Sequence, residues 1–231
     1  MEAIKIDKKS TLMISDGGNL LNEIDHTYPA FLASCNKNYD GILSFIRFTK
    51  DRVIVCSRNR TLEELVNKKI HISRSNYEDL LKVGFNKPYT TVTKLEDVLN
   101  LCQRYNKKIY LNICQPIGHL ELKQLTSLLK KYYIRNITII VNEESILNYF
   151  KNFHKDFHLA LDVDRIDEDV INICEHNNFD IIIPMDRFSK RTVDLLHKHN
   201  IKVGIREISN PIDASTVVNN NVDFFFTKEL E

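Results

Sequence analysis

Asp16, Asp25 and His26 surround the first of a series of short apolar runs, and Asp162 and Asp164 sit at the fifth. Asp186 and Arg187 follow the sixth, Arg206 and Glu207 lie in the seventh, and Lys228 follows the eighth. Arg206 and Lys228 are suited to hold an anion, Arg as a rigid fork of donors and Lys as a point charge. Histidine as a residue type titrates near neutral pH, which makes His26 a candidate to move a proton. This set describes a rebuilt anion site with one acid or base. The competing reading pairs Arg206 with Glu207 or Asp186 and leaves the others as solvated loop ends, because structural ion pairs also gather at strand ends.

A second constellation is Cys56, Cys114 and His26. Thiolate and imidazole suit Zn²⁺ if the fold brings them together, whereas buried cysteines read apart are small apolar residues. The remaining histidines, His71, His119, His154, His158, His176, His197 and His199, fall mostly in or beside stretches of helical period, which suggests surface positions. His197 and His199 are two residues apart and face different sides of a helix. Tyr132 and Tyr133 read as the core and surface of one helix end.

The apolar runs must position these groups. They are Leu12 to Ser15, Gly41 to Ile46, Lys108 to Cys114, Asn136 to Val141, Phe157 to Val163, Asp180 to Met185, Lys202 to Ile208 and Asp223 to Thr227. Most are continuous and rich in β-branched residues, the texture of parallel strands buried on both faces. Helical stretches with start signals alternate with them. Thr93 before Leu95 and Glu96 resembles a capping box, Ser189 precedes KRTVDLLHKHN, and Pro211 sits where a first helical turn accepts proline. Roughly eight strands alternating with helices predict an α/β fold of the TIM (β/α)8 barrel type. An open doubly wound sheet is the alternative, but no Gly-rich phosphate loop follows any strand. The stretch Asn38 to Asn59 reads as strand, charged turn at Thr49 to Arg52, and second strand. A polar segment, residues 58–93, then forms a short insertion with short helices in TLEELVNKK and SNYEDLLKVG, and the C-terminal helix is reduced.

At 231 residues and 43% hydrophobic, the chain is long enough for a single barrel domain spanning residues 1–231. A formal net charge of +1 gives no global field to draw in nucleic acid. No run of apolar residues is long enough for a membrane span, and five cysteines without a C-x-x-C pair point to a reduced, cytoplasmic setting.

Several segments carry a resemblance to the glycerophosphodiester phosphodiesterase family. HTYPAFLASCNKNYDGI (His26 to Ile42) is similar to that family's N-T-x-x-A-F helix running into a D-G-I strand, and FTKDRVIV (Phe48 to Val55) to its T-K-D-G-x-x-V-V hairpin. KPYTTVTKLEDVL (Lys87 to Leu99) resembles I-P-T-L-E-E-V-L. Ser189 to Glu229 follows the family's helix, V-x-V-W-T-V-N strand, helix and G-V-D-G-I-I-T-D. The resemblance covers most of the chain in order, and it implies a TIM barrel whose site lies at the C-terminal mouth of the strands.

The same resemblance implies that the family's chemistry has gone. Its H-R-G falls on Ser15-Asp16-Gly17, so a histidine position holds Ser15 and a phosphate-binding arginine position holds Asp16. P-E-N-T falls on Ile24-Asp25-His26-Thr27. The E-x-D metal pair falls on Leu43 and Phe45, H-D on Cys56-Ser57, and E-I-K on Asn112-Ile113-Cys114. A Ca²⁺ or Mg²⁺ ion needs hard oxygen donors, which Leu43, Phe45 and Asn112 do not supply beyond one amide oxygen, so no cofactor is expected. The expected protein is a pseudoenzyme, a binding or regulatory barrel, against the alternative of a phosphoric diester hydrolase with a relocated site. Expected partners are a small phosphodiester or other anionic ligand, and a second copy or an intact homologue in an oligomer.

Overall fold

The computed structural model describes residues 10–18, 23–87, 90–132, 136–153, 157–228 and 230. His154, Tyr133 and Glu229 lie outside the described residues. Strand β1 (Leu12–Asp16) leads through helix α1 (Tyr28–Cys35) to β2 (Gly41–Phe48), which pairs in parallel with β1 and antiparallel with the short β3 (Ile54–Cys56). The insertion holds α2 (Glu63–Val66), a 3-10 turn at Ile72–Arg74 and α3 (Tyr77–Leu81). Helix α4 (Leu95–Arg104) returns the chain to β4 (Lys108–Ile113).

Strict alternation follows. It runs α5 (His119–Leu129), β5 (Ile137–Val141), α6 (Glu144–Phe153), β6 (His158–Asp162), α7 (Glu168–Asn177), β7 (Asp180–Pro184), α8 (Lys190–Lys198), β8 (Val203–Ile208), α9 (Pro211–Asn219) and β9 (Phe224–Thr227). β9 pairs in parallel with β1, closing eight parallel strands into a TIM barrel with β3 attached outside the ring.

The continuous apolar runs conceal an alternation that closure makes visible. Ile14, Leu43, Tyr110, Ile140, Ala160, Ile182, Phe224 and Phe226 form one cluster inside the barrel. Their neighbours, such as Met13, Ile42, Leu111 and Ile183, join the larger core between strands and helices. Both faces are apolar, as expected where helices cover the outside and side-chain layers fill the inside. The insertion packs its own core of Val55, Leu62, Ile72, Tyr77, Leu80 and Val92.

Local signals account for several helix starts. Ser189 Oγ accepts from the Thr192 amide at 3.0 Å, and Asn210 Oδ1 accepts from Asp213 at 2.9 Å with Pro211 in the first turn. The box expected at Thr93 does not form. Thr93 is buried, Lys94 is the N-cap residue of α4 and no side chain caps that end. Thr93 instead gives its carbonyl to the Cys56 amide at 2.9 Å, which ties α4 to the hairpin.

Candidate functional site at the barrel mouth

The alternation that fills the barrel also selects which residues reach its C-terminal mouth. Asp16 ends β1, and its Oδ1 lies 2.5 Å from Arg58 Nη2. Arg58 in turn spreads over Phe45, its guanidinium carbon 4.0 Å from the ring centroid. Leu43 and Phe45 belong to the interior cluster, and Asn112 is buried. Ser15 is wholly buried, with its Oγ 2.8 Å from that of Ser34 on α1, so it is tied to the helix layer.

His26 occupies a special seat. Its backbone is left-handed (φ 57°) and its amide donates to the Gly17 carbonyl at 2.7 Å. The ring stands edge-on to Phe45 (5.4 Å) and Phe31 (6.0 Å) and is 3% exposed. Gly17 makes room for it, because a Cβ there would lie 3.3 Å from His26 Nε2 and the backbone itself is left-handed at φ 78°. Neither ring nitrogen has a hydrogen-bond partner among the described residues. Burial pushes the imidazole pKa well below its usual 6.5, and the charges of Arg58, Lys228 and Arg47 push it further the same way. His26 is therefore a neutral, enclosed ring at pH 7. A cavity of about 30 Å³ beside it, lined in part by Asp25, Ser57, Arg58 and Asn59, has room for a water molecule or two.

Arg47, two residues beyond Phe45 on the same face of β2, is 5% exposed. It donates from Nη1 to the Cys114 carbonyl at 2.9 Å and from Nη2 to the Arg58 carbonyl at 2.5 Å. Arg47 and Arg58 were not among the candidates drawn from the sequence. Arg47 carried one usable signal, a charge set inside an apolar run; Arg58, in the polar segment after β3, carried none.

The thiols do not assemble with His26 into a zinc site, and among the described residues no group of three or more His, Cys, Asp or Glu is arranged to hold a metal. Cys56 pairs with Ile46 and packs in the core between strands and helices, where burial pushes its thiol up to about 12. Cys114 donates from Sγ to the Ile46 carbonyl at 3.3 Å, and burial raises its thiol too.

On the far side of the mouth each nitrogen of Arg206 faces a carboxylate. Nε donates to Asp162 at 3.0 Å, Nη2 to Asp164 at 2.6 Å and Nη1 to Glu207 at 2.9 Å. Of the two expected acids it takes Glu207; Asp186 lies in a 3-10 turn after β7 and is not an Arg206 partner. A register shift between Ile205 and Ile208, with Glu207 left-handed at φ 69°, makes a bulge at this point. Bulges re-aim side chains at barrel rims. Lys228, just past β9, is half-buried. His158, inside the run read as a strand from Phe157, opens β6, with Nε2 2.7 Å from Asp180 Oδ2.

These residues do not fit a divalent cation. Leu43 and Phe45 offer no donor atom, Asn112 offers one amide oxygen, and the Asp16 carboxylate is engaged by Arg58.

The architecture matches solved structures of phosphodiesterases. It superposes with a TM-score of 0.84 on a phosphodiesterase of Oleispira antarctica determined with the product sn-glycerol-3-phosphate, at 14% identity over 94% of this chain and 92% of that one. It also matches glycerophosphodiester phosphodiesterases from Thermotoga maritima (TM-score 0.80, 15% identity, 95% of each chain) and Parabacteroides distasonis (TM-score 0.80, 12% identity, 94% and 92%). No protein-family profile matches the sequence, and no curated protein does. At such identities the likeness establishes the fold.

Proposed function

We propose that this chain, folded as a glycerophosphodiester phosphodiesterase barrel, is a pseudoenzyme of that family that acts as a binding or regulatory protein. The observation that carries the reading is the pair Leu43 and Phe45, which face the barrel interior where the resemblance of the sequence implies metal-binding acids. Phosphodiester hydrolysis needs one group to assist the nucleophile and another to protonate the leaving alcohol. His26 is enclosed and held neutral, and the thiols of Cys56 and Cys114 are raised away from useful values. A phosphate approaching Asp16 meets a carboxylate, with its countercharge already supplied by Arg58.

The hydrolase reading draws on the neighbours, which are phosphodiesterases. It requires a site relocated to Arg206 and His26, but Arg206 is taken up by three carboxylates and His26 is enclosed. Five free thiols, four of them buried, support a reducing compartment such as the cytoplasm.

The test is an assay of glycerophosphocholine and bis-p-nitrophenyl phosphate with added Ca²⁺, Mg²⁺ or Zn²⁺, run beside calorimetric titration of each metal. No turnover and no metal binding is the expected result. Metal-dependent turnover that is abolished by Arg206→Ala or His26→Ala would replace the pseudoenzyme with the relocated-site hydrolase.

A further inference from the structure

The N-terminal end of the barrel, opposite the mouth, is built unlike a packed floor. Inward-pointing positions of a TIM barrel are dominated by bulky branched residues. Here the lowest inward positions of consecutive strands are Lys108, Thr138, His158 and Asp180, followed by Lys202 just before β8. Together with Phe224 they line a cavity of about 490 Å³, within the range of small-molecule sites. On β2 the corresponding residue is Gly41, where a Cβ would run into the Lys108 backbone, so that strand adds no side chain to fill the space.

The floor of this cavity is aromatic and shut. Tyr110 lies 5.2 Å from Phe224 and 5.4 Å from Phe226 between ring centroids, and the Phe224 ring sits over Gly204, where a Cβ would overlap it.

The charges are unequally satisfied. Asp180 pairs with His158 at 2.7 Å, and Asp223 pairs with His197 at 2.8 Å and accepts from the Val203 amide. The ammonium groups of Lys108 and Lys202 have no hydrogen-bond or ion-pair partner among the described residues, although both backbones are hydrogen-bonded. Both acids of the cavity are thus engaged while both ammonium groups are unpaired.

We propose that this cavity is a binding site for a small organic anion, whose charged group lies between Lys108 and Lys202 and whose apolar body rests on Leu12, Tyr110 and Phe224. An ammonium suits carboxylate and phosphate alike as a point charge, and the aromatic floor selects anions with an apolar or aromatic part.

The probe is phenyl phosphate, titrated calorimetrically into the full chain at low salt. Binding should weaken about tenfold or more in Lys202→Ala, which removes a charge-assisted contact from an exposed position with no packing role. Lys108→Ala should weaken it similarly, and Lys228→Ala, at the opposite mouth, should leave it unchanged. Inorganic phosphate, which cannot use the floor, should bind about tenfold more weakly than phenyl phosphate. Absence of phenyl phosphate binding would overturn the site. So would binding that survives both lysine substitutions, binding lost in Lys228→Ala, or equal affinity for the two phosphates.

Discussion

Arg58 and Asp16, 42 residues apart in sequence, meet at the barrel mouth with 2.5 Å between Nη2 and Oδ1, and Arg58 covers Phe45 in the same gesture. The pair fastens the hairpin to the end of the first strand. Asp16→Ala should therefore lower stability by about 1 kcal/mol or less in urea titration, since Arg58 is about a third exposed and such pairs are screened. Phe45→Leu combined with Asp16→Ala should show coupling in a double-mutant cycle, because both residues act on the same guanidinium. Strict additivity would show that Arg58 does not join them.

His26 makes the fold acid-sensitive. Its folded pKa lies well below 6.5, so below that pH the unfolded chain binds a proton that the folded chain refuses. Stability should be full above pH 6.5 and fall as pH drops from there toward the lowered value, by at most about 1.4 kcal/mol per pH unit. His26→Asn, which tolerates the left-handed backbone, should flatten this limb in urea midpoints measured at pH 7 and pH 5. An unchanged difference between the two pH values would place the acid sensitivity elsewhere.

Arg206 balances three acids. In Arg206→Ala the half-buried Asp162, whose pKa burial already raises, loses its countercharge and rises further. A raised carboxylate pKa favours folding at low pH and costs stability as pH climbs through it. The variant should lose about 2 kcal/mol or more at pH 7 and recover part of that at pH 5, the opposite trend from His26, as thermal melts at both pH values would record.

Gly204 lies under the Phe224 ring, where a Cβ would overlap it. Gly204→Ala should destabilise by about 1–3 kcal/mol through overpacking. Phe224→Leu in the same chain should recover part of the loss, measured against Phe224→Leu alone. An additive pair would separate the glycine from the ring.

The barrel was legible from the sequence because eight β-branched runs alternate with helical stretches, and Ser189 and Pro211 mark helix starts where the structure has them. Which residues of each run face inward was not. Strands apolar on both faces carry no period-2 signal, so Leu43 and Ile42 look alike until closure assigns one to the interior and the other to the helix layer. Arg58 was absorbed into the polar insertion because its partners, Asp16 and Phe45, are brought to it only by the fold. The bulge at Glu207, which aims Arg206 at Asp162 and Asp164, depends on a left-handed residue that nothing in its type announces.

The insertion after β3 keeps its own apolar nucleus of Val55, Leu62, Ile72, Tyr77, Leu80 and Val92, separate from both barrel cores. A segment that draws its cohesion from its own local side chains, with Leu65, Ile70 and Phe85 packed around that nucleus, should behave as a cooperative unit able to open while the closed ring of strands stays intact. Its amides should exchange with solvent deuterium in a block, ahead of those in β4 to β9. Leu62, Leu65, Phe85 and Val92 of that segment line the same small cavity as His26, so each such opening should uncover the enclosed ring to solvent protons.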